Sequence, residues 1–157
     1  MSSDLVRPWL ATAARLLLGG VLVVAGALKL PDPAEAVRAV RAYRLLPEAV
    51  VGPVAFGLPV LEILVGLALL VGVFVRTAAV AAAVLMVVFL AGVSSAWARG
   101  LQIDCGCFGG GGEVAAGQTA YPWEVVRDTA LLLVALALAR WPHSRLALSN
   151  RLEPVHG

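Results

Sequence analysis

The sequence predicts an all-α membrane protein, a polytopic four-helix bundle with a short interfacial amphipathic helix between its first and second spans. Two observations carry that expectation. Hydrophobic residues make up 61% of the 157 and charged residues 14%, against roughly 45–50% and 25% in soluble globular proteins. A single small core cannot bury that excess, and the mean hydropathy of +0.91 agrees. The excess is also gathered into four long apolar segments rather than spread evenly.

The first segment runs from about Trp9 to Leu28, "WLATAARLLLGGVLVVAGAL". The second runs from about Val54 to Val75, the third from Ala78 to Ala98 and the fourth from Val125 to Ala139. Spanning a bilayer takes roughly 17–25 residues. The first three qualify outright. The fourth qualifies when "YPWEVVRD" is its opening turns, which Pro122 near the start allows. Arg7, the first apolar run and "AGA" at Ala25 to Ala27 also resemble a cleavable signal. The length of that run and Arg15 inside it favour a retained span. Residues 1–142 therefore read as one four-span domain and 143–157 as a polar, loosely ordered tail.

Between the first two spans, Asp32 is placed to cap a helix with Pro33 at its first position. Val37, Val40 and Leu45 alternate with Arg38, Arg41 and Arg44, giving an amphipathic helix in the interface with snorkelling arginines. Pro47 is expected to end it. Arg76 marks a tight turn between the second and third spans. Arg15 is expected to snorkel to the nearer interface. Gly19, Gly20, Gly26, Gly57 and Gly66 read as small residues that let helices pack closely.

The net charge of +2 and the absence of a polybasic block exclude a nucleic-acid partner. Two cysteines cannot form a multi-bridge scaffold. Both lie in "IDCGCFGGGG", as Cys105 and Cys107. Two extended residues separate their Cα atoms by about the upper limit of a disulfide. A turn at Gly106 shortens the gap. A bond there is possible but strained, and strained disulfides are the labile, catalytic kind. The alternatives are two inert thiols or a weak metal site. Metal needs more ligands, and His143 and His156 fall at the other side of the membrane, so no metal is expected. "CFGGGGEVAAG" reads as a flexible hinge.

Orientation does not follow from charge, because the basic residues divide evenly between the two sides. A thiol pair in disulfide chemistry belongs on the oxidising face. That places the Cys loop outside the cytoplasmic membrane and both termini in the cytoplasm.

Glu62 lies inside the second span, where an ionisable group implies function and a partner. Counted from Val54, it is about 12 Å deep. Lys29 ends the first span on the same side, and Arg127 and Asp128 open the fourth there. These four groups converge beneath the Cys loop, either as an ion-paired knot or as proton carriers. Trp9, Trp97, Trp123 and Trp141 fall near span ends, as interface anchors do. Phe108 and Trp123 also flank the Cys loop, where an aromatic could stack on a quinone ring, although the anchor reading is the stronger of the two. Asp104 opposes ionisation of Cys105, while Phe108 and the glycines leave Cys107 more open, so Cys107 is the sulfur expected to be attacked.

"RLLLGGVLVVAGALKLPDP", "YRLLP", "LPVLEILVGLALLVG", "DCGCFG" and "WEVVRD", in this order from Arg15 to about Leu133, resemble the MauE branch of the DoxX-like membrane proteins. The resemblance implies a four-helix membrane bundle. It implies a place in methylamine utilisation, where MauE is thought to support disulfide formation in methylamine dehydrogenase. DoxX relatives are linked to quinone-coupled thiol or sulfur oxidation, so a quinone cofactor is implied too. Cys105, Cys107, Glu62, Lys29, Arg127 and Asp128 occupy the matching positions.

Enzymes of the vitamin K epoxide reductase type also run disulfide chemistry from a four-helix bundle, with a Cys-x-x-Cys pair and a second shuttle pair. No second pair exists here, so a partner thiol must attack the Cys105–Cys107 bond directly. A thioredoxin-like extracytoplasmic protein is the natural partner. The leading expectation is a membrane thiol–disulfide oxidoreductase component, with Glu62 or Asp128 handling protons. Its rivals are a non-catalytic assembly factor or anchor of a redox complex, and a small-solute transporter. Oligomeric state and the direction of electron flow are not legible.

Overall fold

The structure is a computed structural model and describes residues 3–143 and 146–148. Five helices and one short hairpin follow one another: α1 (Ser3–Lys29), α2 (Pro33–Ala42), α3 (Glu48–Val71), α4 (Val75–Ala98), β1 (Ile103–Asp104), β2 (Gly112–Glu113) and α5 (Tyr121–Arg140). The four long helices form the bundle. α1 packs along α3, α4 along α5, and α3 also meets α4. Val6–Lys29, Glu48–Val71 and Val75–Ala98 are long and apolar enough to cross a membrane. At about 1.5 Å per residue, the 24 residues of α3 or α4 reach beyond the roughly 30 Å hydrocarbon core. α5 carries Glu124, Arg127 and Asp128 in its first turns and completes the bundle beside α4.

The exterior explains the composition. Leu17, Leu64, Val84 and Leu133 are more than half exposed, a surface suited to acyl chains. The interior is built on small residues. A Cβ added at Gly19 would meet the Gly66 carbonyl oxygen at 2.8 Å, and one at Gly66 would meet the Gly19 oxygen at 2.8 Å. At Gly26 it would meet the Pro59 oxygen at 2.6 Å. Gly20 and Gly57 meet nothing within 4 Å, so the close-packing role belongs to three of the five glycines expected to have it.

Several local expectations are corrected. α3 begins at Glu48, with Pro47 as its N-cap, so this proline starts a helix rather than ending one. α2 has already ended at Ala42, with Tyr43 as its C-cap. Asp32 does cap α2, accepting the Glu35 amide at 2.9 Å. Glu62 therefore lies about 21 Å along α3 rather than about 12 Å. The tight turn is Gly72–Phe74, and Arg76 falls in the first turn of α4.

Arg15 does not snorkel. Its side chain is 1% exposed. Nη1 donates to the carbonyl oxygens of Leu69 at 3.1 Å and Leu70 at 3.3 Å, and Nη2 to that of Leu146 at 3.3 Å. It thus satisfies orphan carbonyls at the C-terminus of α3, where the helix dipole favours a cation. The same bonds hold the start of the tail in place: Ala147 is buried and the Leu148 amide donates to the Val71 oxygen at 3.3 Å. The remainder of the 143–157 tail beyond these positions, including His156, lies outside the described residues.

The glycine-rich segment is folded rather than a hinge. β1 and β2 pair antiparallel, Ile103 with Glu113 and Asp104 with Gly112. Gly106 and Gly111 have positive φ, and a Cβ on either would lie 3.0 Å or closer to the Ala39 Cβ on α2. Positive φ and tight contact together demand glycine at both positions.

Candidate functional site

α1 stops at Lys29, while the N-terminal half of α3 continues past it. α2 and the Cys hairpin cover the space this leaves. Underneath is a cavity of about 530 Å³, within the range of small-molecule sites. Lys29, Tyr43, Leu58, Phe89, Cys105 and Cys107 are among its lining residues. The walls are mainly apolar, and both cysteines contribute to them.

Both cysteines are free thiols in this structure, Cys105 partly exposed and Cys107 buried. The Cys107 amide donates to the Cys105 Sγ at 3.2 Å. Arg127 Nη2 donates to the same sulfur at 3.8 Å. The backbone of this turn is held on three sides. Tyr43 Oη donates to the Cys105 carbonyl at 3.0 Å, the Cys105 amide donates to Glu124 Oε1 at 3.4 Å, and the Gly106 amide donates to Asp104 Oδ1 at 3.1 Å.

The thiols are made unequal by these contacts. The hydrogen bond from the Cys107 side chain, aided by the Cys107 amide and Arg127, holds the Cys105 thiol below the ordinary cysteine range despite burial. The same hydrogen bond, burial and the neighbouring charges of Cys105 and Asp128 push the Cys107 thiol well up. Cys105 is therefore the more readily ionised of the two thiols and the less buried residue. The expectation that Phe108 and the glycines leave Cys107 the more open of the two is corrected: Cys107 is buried and Cys105 partly exposed. Asp104 turns its carboxylate to the Gly106 amide, and the effect of Arg127 from α5 could not be seen in the local sequence. Burial and the surrounding thiols also push the Tyr43 hydroxyl far above its usual range, so it remains a donor.

The other expected residues divide into two groups. Lys29 Nζ donates to Glu62 Oε1 at 2.7 Å and Oε2 at 2.8 Å. Arg127 Nε donates to Asp128 Oδ1 at 2.8 Å, and the Arg127 guanidinium stacks over Phe108 at 4.9 Å. These are two separate ion pairs rather than one knot. The aromatic residues turned to the cavity are Phe89 and Tyr43, while Trp123 is 67% exposed on the outer face. Lys29 lies 5.2 Å over the Phe89 ring. His143 is exposed beside a different cavity with Arg7 and Trp141.

Sequence reasoning missed Glu124. It is 4% exposed, and its Oε2 has no hydrogen-bond partner. Its spacing of one turn from Asp128 was the available signal. Oxygens of Glu124 and Asp104 lie with the Cys105 Sγ inside a 4.8 Å cluster, a donor set of the kind that holds a borderline divalent ion. Arg127, already beside that sulfur, opposes a cation there.

Long lipid-facing helices and a dithiol at one mouth of their bundle define a multi-pass membrane protein with a paired-thiol site. The family model described as methylamine utilisation protein MauE matches residues 7–141. The methylamine utilization protein MauE of Paracoccus denitrificans is 38% identical over 140 residues, covering 88% of this chain and 73% of that protein. The chain belongs to the MauE family. No solved structure matches it.

Proposed function

We propose that this protein is a membrane thiol–disulfide oxidoreductase component that moves electrons between an extracytoplasmic thioredoxin-like partner and a membrane quinone. The observation that carries this reading is that Cys105 and Cys107 both line one mainly apolar cavity of about 530 Å³, a volume that accommodates a quinone ring. A partner thiolate attacks Cys105 in the Cys105–Cys107 disulfide and Cys107 leaves. The partner's second thiol then releases its disulfide, and Cys105 and Cys107 remain as two thiols. In the cavity the pair gives two electrons and two protons to the quinone, forming quinol and restoring the disulfide. Phe89, Tyr43 and Lys29 line the space that would hold the ring, and Lys29 Nζ, with one N–H beyond the two given to Glu62, would be the donor to a ring oxygen. The P. denitrificans relative's name places it in methylamine utilization, and we extend that setting to this chain. The Cys loop faces outward and both termini face the cytoplasm.

The test uses the full chain in lipid nanodiscs, reduced with dithiothreitol, freed of reductant and mixed anaerobically with a short-chain quinone. Quinone absorbance should fall as Cys105 and Cys107 become resistant to alkylation, and neither change should occur in the Cys105→Ser/Cys107→Ser variant. Equal quinone loss in that variant would reject the reading and favour an anchoring role. In intact cells, a membrane-impermeant maleimide applied after mild reduction should label Cys105. Labelling only after lysis would reverse the orientation.

A further inference from the structure

We infer that Glu124 is the acid–base partner of the Cys105 thiol, the two sharing one proton; its use in turnover rests on the thiol-exchange reading above. The placement is direct. Glu124 sits in the first turn of α5 and is buried. One carboxylate oxygen accepts the Cys105 amide at 3.4 Å, and an oxygen of the group lies within 4.8 Å of the Cys105 Sγ. Its Oε2 is shut away from solvent without a donor. An ionised oxygen held like that is costly unless a proton can reach it.

Charge counting gives the same answer. Arg127 is the cation at this cluster, and it is already bonded to Asp128 and placed against Cys105. The carboxylates clustered with the sulfur are Asp104 from β1 and Glu124 from α5; Asp128 is held on Arg127, and Cys107, whose thiol is pushed well up, is a neutral neighbour. Tyr43 from the end of α2 and Tyr121 from α5 are neutral donors. Lys29, on the cavity side, is committed to Glu62. One guanidinium does not neutralise Asp128, Glu124 and a Cys105 thiolate together, so one proton remains on the Glu124–Cys105 pair.

This supplies the proton step that exchange requires. The first partner thiol loses its proton as it attacks Cys105, and the departing Cys107 takes one up. The second partner thiol attacks the partner sulfur of the mixed disulfide. The bond to Cys105 breaks, Cys105 leaves with the electron pair, and the Glu124 carboxylate accepts the second proton. Two partner thiols have become a disulfide, the Cys105–Cys107 disulfide is reduced, and both protons are retained for the later two-electron oxidation.

The test measures Cys105 alkylation against pH in the reduced full-length protein, resolved by peptide mass spectrometry. Wild type should show two steps, because ionisation of each group affects the other. Glu124→Gln should show one step, shifted to lower pH by loss of the neighbouring charge, and Glu124→Asp should restore two. Reduction of the disulfide by dithiothreitol should slow about 100-fold in Glu124→Gln, although its thiolate is more abundant at neutral pH. A structural defect does not produce that opposition. A single-step wild-type curve, or coincident wild-type and Glu124→Gln curves, overturns the inference. If the alkylation curves behave as expected while wild type fails to reduce quinone, the shared proton stands and the oxidoreductase reading falls.

Discussion

Lys29, the last residue of α1, bonds both carboxylate oxygens of Glu62 in the middle of α3. Their side chains are 9% and 1% exposed. Removing either partner strands a buried charge, at a cost of about 3–5 kcal/mol. Lys29→Met and Glu62→Gln should each lower the thermal midpoint in detergent. The Lys29→Met/Glu62→Gln double variant should recover much of the loss. Additive losses would mean that the two residues act independently.

Cys105 is the less buried residue and Cys107 the buried one. Cys107→Ser should therefore trap a partner on Cys105, as a higher-mass band on a non-reducing gel that disappears with reductant. Cys105→Ser should trap little. The opposite pattern would restore Cys107 as the attacked sulfur.

Cys105 owes its lowered pKa first to the Cys107 thiol. A lowered pKa populates the thiolate at lower pH, so wild-type alkylation at Cys105 should begin below the usual cysteine value of about 8.5. Cys107→Ala removes that donor and should move the curve to higher pH. Arg127→Met should move it in the same direction by less. An unmoved curve in Cys107→Ala would falsify the assigned cause.

Glycines that look equivalent in the sequence should differ sharply. Gly20 faces open space within α1, so Gly20→Ala should be neutral or stabilise by about 0.5–1 kcal/mol. Gly19→Ala and Gly66→Ala should loosen the contact of α1 with α3. Gly111→Ala adds backbone strain of about 1–3 kcal/mol to a clash with Ala39. It should raise protease sensitivity at the Cys hairpin without breaking the bundle.

The helices were legible because lipid imposes long apolar runs, and "DPAEAVRAV" carries its own cap. The start of α3 was not, because Pro47 read as the end of the preceding helix and the apolar run was counted only from Val54. A proline is tolerated at a helix start, and a membrane helix finds other partners for the freed carbonyl. Cys105, Cys107, Lys29 and Glu62 stood out by residue type. Their inequalities did not, because they depend on groups from α2 and α5. Glu124 reads in sequence as an ordinary first-turn acid, and only the fold sets it against Cys105. Arg15 was misread for the same reason: its acceptors lie 54, 55 and 131 positions away in the chain.

The clasp made by Arg15 bears on how this protein can be handled. One guanidinium joins the first helix to the end of the third and to Leu146, and a Cβ on Gly72 would collide with both Arg15 and Ala147. A reporter fused directly after Arg140 removes the Leu146 acceptor and uncovers the apolar seat of Ala147. Such a fusion would report the sidedness of a damaged protein. Affinity tags and topology reporters belong beyond Leu148, where the clasp stays shut.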